Sequence, residues 1–235
     1  MVFIFIINKK MRFVQQKTTF KIKTQKEKNI KIHSNLFPNS IRGLICGPSG
    51  CGKTVVLYNL IVHKKGLKFS NLYVISQSLE QEKYKDLTEI FDYTDDEVKL
   101  ITSPTCEITP NDVERDSIVI FDDIKRDKIC DKNIEQFFSM GRHRNLNCFY
   151  LCQTYSKIPK QLLRDNANFI ILFKQDDMNL KHVYNNHVGS DVSFNRFKEM
   201  CNFCWKEDYG FITIDKQSPF NKGRYRFMFD KFLQI

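Results

Sequence analysis

The chain has 235 residues, 42% of them apolar, and a formal charge of +10; this length suits one α/β domain that buries a full core and leaves little room for a second. Its eight cysteines, several inside apolar runs, argue against a secreted disulfide framework. The apolar start, Met1–Ile7, is too short to span a bilayer and lacks both a basic flank and a small-residue cleavage site, so neither a signal peptide nor a membrane span is expected; Met11 is an alternative start.

Charge is concentrated at the amino end. Residues 1–32 carry Lys9, Lys10, Arg12, Lys17, Lys21, Lys23, Lys26, Lys28 and Lys31 against one acid, Glu27, a net of +8 that leaves about +2 for the rest. A basic arm over 1–34 is therefore expected ahead of a folded domain over 35–235. Such an arm can neutralise nucleic-acid phosphates or simply be solvated, and the weak alternation over 17–32 suits an edge strand or no fixed structure.

Beyond the turn at Phe37–Ser40, Ile41–Cys46 is an apolar run of strand length. It leads into Gly47, Pro48, Ser49, Gly50, Cys51, Gly52, Lys53 and Thr54, which fit G-x-x-x-x-G-K-[ST] at every fixed position. Val55–Val62 leaves with helical spacing, and the helix is expected to end near Lys65-Gly66. In this strand, loop and helix context, backbone N–H groups curl around a polyphosphate and the helix directs its positive end at the same charge. Lys53 reaches the β- and γ-phosphates, Thr54 ligates Mg²⁺, and the nucleotide is expected to rest on Gly47 through Val55.

Asn71–Ser76 is a second short apolar run, 79–97 reads as helix and acidic loop, and Val98–Thr102 as a further strand. Ser117–Asp123 is a strand ending in two carboxylates, 132–140 is helical, Asn147–Gln153 and Asn168–Phe173 are strands, and Pro159–Asp165 is a short helix between them. Strands alternating with helices, the strands nearly all apolar, predict an α/β fold with a mostly parallel sheet flanked by helices on both faces. Beyond Lys174 the pattern changes to helices over 177–187 and 191–201, then closing strands over Tyr209–Asp215 and Tyr225–Asp230 that join the sheet or cover its edge.

Ligands of open parallel sheets sit outside the carboxyl ends of the strands. Asp122 follows four apolar residues, as in a Walker B strand whose carboxylate holds Mg²⁺, and Asp123 stands where a second acid can polarise the attacking water. Gln153 ends a later strand, where an amide can hydrogen-bond both a γ-phosphate oxygen and the lytic water. Between them, the Arg142 and Arg144 guanidiniums are expected close to the nucleotide-bearing edge, as an arginine finger for a neighbouring subunit, a solvated basic loop or a DNA contact. Cys201-x-x-Cys204, with His182 and His187 upstream, has zinc-ligand spacing but no second pair, so packing cysteines are the better expectation.

Taken together and in this order, GPSGCGKT, IVIFDD, GRHRN and YLCQ resemble the DNA-packaging ATPases of large double-stranded DNA viruses, the poxvirus-type branch of the FtsK–HerA superfamily, and especially the versions in Maverick/Polinton elements. The resemblance covers about residues 41–175. It implies a RecA-like ASCE core, a homo-oligomeric ring, Mg-dependent ATP hydrolysis, and translocation of double-stranded DNA through a capsid portal or vertex, inside a virion or host cell. It matches Lys53 and Thr54 to the phosphate and Mg²⁺ positions, Asp122 and Asp123 to the Walker B pair, Gln153 to the strand-end sensor and Arg142 to the trans-acting arginine. Asp123 departs from the pattern, since many such ATPases carry Glu there. A nucleotide kinase would need a lid with clustered arginines and a switch GTPase an N-K-x-D motif, and neither stands out; the alternative is a P-loop NTPase of another kind, such as a nucleotide kinase or a non-packaging DNA-remodelling ATPase.

Overall fold

The computed structural model describes residues 33–93 and 99–234. Residues 1–32 of the expected basic arm, with its expected edge strand, lie outside the described residues, whereas His33 is buried against the folded domain and accepts from Lys68 N at 3.0 Å. In chain order the elements are β1 (Arg42–Cys46), α1 (Lys53–Val62), β2 (Asn71–Ser76), α2 (Glu82–Tyr93), β3 (Lys99–Ser103), β4 (Ser117–Asp122), α3 (Lys128–Met140), β5 (Asn147–Cys152) and β6 (Phe169–Leu172). They are followed by α4 (Asp177–Val183), α5 (Phe194–Cys204), β7 (Ile212–Asp215), β8 (Tyr225–Phe227) and β9 (Lys231–Phe232).

The nine strands of the described residues form one sheet in the order β3-β2-β4-β5-β1-β6-β7-β8-β9. The first six in that order run parallel, and β7, β8 and β9 are added antiparallel. Side chains alternate between the faces of each strand, so the apolar runs supply two cores. Leu44, Val119, Phe121 and Cys148 pack with Ile134 and Phe137 of α3 and Phe197 of α5 on one face. Ile45, Ile118, Ile120 and Phe149 pack with Leu57 and Leu60 of α1 and Tyr84 and Leu87 of α2 on the other. Burial on both faces is why these strands read as continuous apolar runs rather than alternating ones.

The amino end of β1 is clamped by two buried asparagines. Asn147 Oδ1 accepts from Ile41 N at 2.8 Å, and Asn168 Oδ1 accepts from Arg42 N at 2.7 Å while its Nδ2 donates to Ser40 O at 2.7 Å. The antiparallel extension is held by a buried pair, Arg226 to Asp215 at 2.7 Å, with Arg226 Nε also donating to Gly223 O at 2.6 Å. Burying a guanidinium is tolerable only when its donors are matched in this way.

Element boundaries move where capping overrides periodicity. Helix α1 stops at Val62, a turn before the expected Lys65-Gly66, because the chain folds back and Leu67 N donates to Leu60 O at 2.8 Å. Gly66 is what permits this close return, since a Cβ there would stand 2.3 Å from Leu60 O. Helix α3 begins at Lys128 rather than 132, with Asp127 accepting from Cys130 N as its cap. The expected 177–187 helix is α4 plus one wide turn over Tyr184–Val188, and β9 lies beyond the last expected strand, Tyr225–Asp230. Cys201 and Cys204 are buried on the inner side of α5 within the first core. No helix among the described residues is long and apolar enough to cross a membrane.

Candidate nucleotide site

Strand order decides which side chains meet. β5 is inserted between β1 and β4, so the strand ending at Gln153 lies between the one feeding the phosphate loop and the one ending in the two aspartates. A cavity of about 1150 Å³ opens at the carboxyl ends of these strands. Its wall includes Gly50, Gly52, Lys53, Thr54 and Val55 of the loop and α1, Asp122 and Asp123 after β4, and Gln153 after β5. Ser49 also lines it, whereas Pro48 borders a smaller groove that shares Gln153 with it. Gly47 and Cys51 do not line the cavity; a Cβ on Gly47 would stand 2.6 Å from Cys51 Sγ and from Phe173 Cβ.

Gly52 caps α1 in the left-handed region at φ 98°, a conformation natural to glycine. It turns the chain so that the first helical N–H groups, which have no partner within a helix, face the cavity. Lys53 Nζ lies back along the loop, donating to Gly47 O at 2.8 Å and Pro48 O at 2.9 Å. Its charge acts on Asp122 across the cavity.

The two aspartates are in different environments. Asp122 is buried, which raises its carboxyl above the usual range; the hydrogen bond from Tyr84 Oη to its Oδ2 at 2.6 Å and the Lys53 ammonium work in the opposite direction. Asp123 is exposed, adopts a left-handed backbone at φ 45°, and accepts from Ser78 Oγ. Thus Tyr84 and Ser78 fix the orientation of the acid pair, and both escape sequence reasoning. Tyr84 lies on α2, 38 residues before Asp122, and nothing local marks it. Ser78 follows β2, and knowing that β2 neighbours β4 would have pointed to it.

Arg126 is a further cavity residue without a motif. It forms a two-pronged pair with Asp131 at 2.7 Å for each contact and donates to Lys157 O at 3.1 Å, tying the loop after β4 to the turn after β5.

Arg142 and Arg144 are not near this chain's cavity. They lie in a 3-10 turn over Gly141–Arg144 that precedes β5, hence at the amino edge of the parallel strands, opposite the phosphate loop. The expectation of a place close to the nucleotide-bearing edge is corrected by strand polarity, which a linear reading of the loop does not convey. Arg144 is tied down, donating to Asn111 Oδ1 and Val113 O at 3.3 Å each, while Arg142 is exposed.

Solved structures with this fold include the genome packaging NTPase B204 from Sulfolobus turreted icosahedral virus 2 in complex with sulfate, 13% identical, covering 85% of this chain and all of that one at a TM-score of 0.52. The same protein in complex with ATP-gammaS aligns over 84% of this chain and all of that one, at 13% identity and a TM-score of 0.51. B204, the DNA-packaging ATPase from Sulfolobus turreted icosahedral virus, is 15% identical over 84% of this chain and 98% of its own, at 0.50. At such identities the likeness establishes the fold. No curated protein matches the sequence. The family described as Poxvirus A32 protein matches residues 27–231, spanning the phosphate loop, both aspartates, Gln153 and the antiparallel extension, and the chain belongs to that family.

Proposed function

We propose that this protein is a Mg-dependent ATP hydrolase that drives double-stranded DNA into a viral capsid, working as a homo-oligomeric ring in the virion or host-cell interior. The observation that carries the reading is the single cavity on which Lys53, Thr54, Asp122, Asp123 and Gln153 converge from three strand ends. The DNA assignment is supported by family membership and by the packaging role named for the B204 protein that shares the fold.

The loop N–H groups and Lys53 hold the phosphates and offset their charge. The donors on the cavity wall fit Mg²⁺, since the Thr54 hydroxyl and the Asp122 carboxylate are hard oxygens and Tyr84 occupies only Oδ2 of the latter. Bound there, the ion would neutralise charge on the β- and γ-phosphates. Exposed Asp123 orients and polarises the attacking water, and Gln153 bridges that water to the γ-phosphate. Arg142 acts on the nucleotide of a neighbouring subunit, a role supported by its exposure and by the structural commitment of Arg144.

The test is steady-state ATP hydrolysis with and without double-stranded DNA, alongside mass in solution. DNA-stimulated turnover by an oligomer, abolished in Lys53→Ala, is expected. A monomer whose turnover ignores DNA, or phosphoryl transfer to a nucleoside acceptor, overturns the motor reading.

A further inference from the structure

Tyr209 lines the same cavity, yet it belongs to neither the phosphate loop nor the acid pair. Its side chain is 70% exposed, while Phe173 and Phe211 around it are buried. The ring borders the start of α1, since a Cβ placed on Gly52 would stand 3.5 Å from Tyr209 Cδ1.

An exposed aromatic on a loose loop would mean little, but this mount is anchored on both sides. Trp205 Nε1 donates to Leu172 O at 3.0 Å before it, and the Phe211 ring packs on Phe173 at 5.2 Å and on Phe229 at 5.1 Å after it. Tyr209 itself sits at φ 58°, a left-handed backbone that a bulky residue adopts only when its surroundings impose it. The fold thus holds the backbone firmly and leaves the ring in solvent.

Sheet order states what the ring faces. Ile212, which opens β7, pairs with Leu172, and Leu172 with Cys46 at the base of the phosphate loop, so Tyr209 stands at the same edge as the loop. β4 lies two strands from β1 in one direction and β7 two strands away in the other, about 10 Å each way. A triphosphate whose γ-end meets Asp122, Asp123 and Gln153 therefore carries its base toward β7.

We propose that Tyr209 is the stacking platform for the base of the nucleoside triphosphate, with exposed Val55 of α1 as a second apolar surface on the same cavity; this rests on the nucleotide reading above. Every base has a π-face, so a platform of this kind tolerates adenine and guanine alike and contributes affinity rather than base choice.

The test is calorimetric titration of the full chain, in Mg²⁺, with the β,γ-methylene analogue of ATP and with inorganic tripolyphosphate, which has no base. Tyr209→Asn removes the ring and keeps a residue at ease in the left-handed region. It should weaken the analogue about tenfold, in line with base–aromatic stacking, and leave tripolyphosphate within about twofold. Tyr209→Phe should restore most of the analogue affinity. The platform is refuted if the Asn variant binds the analogue like wild type, if it loses both ligands equally, or if the Phe variant is as weak as the Asn variant. Wild type binding neither ligand, or Lys53→Ala binding the analogue undiminished, refutes the nucleotide site itself.

Discussion

Tyr84 illustrates how a residue outside any motif sets the behaviour of one inside it. Its hydroxyl holds Oδ2 of Asp122, and this bond lowers a carboxyl that burial otherwise raises. Removing the hydroxyl in Tyr84→Phe leaves burial less opposed, so Asp122 stays protonated to higher pH. The acid limb of the pH–rate profile is expected to move upward, with the rate on the plateau above it less affected. An unmoved limb would mean that Asp122 does not limit turnover in acid. Asp123→Asn is a different experiment, because that side chain is exposed and keeps its shape as an amide. It should bind ATP and hardly hydrolyse it.

Among the elements, the turn after β5 carries a buried pair that tethers it to the wide turn after α4. Tyr155 Oη lies 2.7 Å from His187 Nε2, and Asn186 Nδ2 donates to the same hydroxyl at 3.1 Å. Burial, with Lys216 and Arg164 adding to it, holds His187 neutral down to about 3. The unfolded chain binds a proton there below about 6.5, so between these values the unfolded state holds more protons and stability rises with pH. The contribution is complete above about 6.5 and is lost as pH falls, at up to about 1.4 kcal/mol per unit. Denaturant melts at pH 7 and pH 5 should show this loss, and His187→Gln should reduce it. Equal losses in both proteins would place the acid sensitivity elsewhere.

At the scale of the whole molecule, polarity of the parallel sheet separates the phosphate loop from Arg142. One subunit cannot bring the two together; in the proposed ring, the amino edge of one subunit would meet the carboxyl edge of the next. Arg142→Ala is therefore expected to bind ATP nearly normally and to lose turnover by about 10³-fold. Mixing it with Lys53→Ala then creates interfaces that combine an intact loop with an intact arginine, and activity should partly return. Co-assembly without any return of activity would reassign the arginine turn to DNA contact or to structure.

The sequence by itself determined the parts whose chemistry is local. A phosphate loop is one continuous segment whose glycine, lysine and threonine spacing is its mechanism, and Gly47–Thr54 needed no tertiary knowledge. The position of Asp122, Asp123 and Gln153 at strand ends was readable because a polar residue closing an apolar strand stands out, and the alternation of strands with helices identified the parallel sheet. Tertiary structure alone decided the order of those strands. Inserting β5 between β1 and β4 puts Gln153 between the loop and the acids, and the parallel run of β5 sends the Arg142 turn to the far edge; pairing of β2 with β4 brings Tyr84 onto Asp122 from 38 residues before it, and pairing of β7 with β6 brings Tyr209 to the cavity from beyond α5. Such neighbours share no periodicity and no spacing. What joins them is the burial of both sheet faces and the pairing of backbone groups across the sheet, and these exist only once the chain has folded.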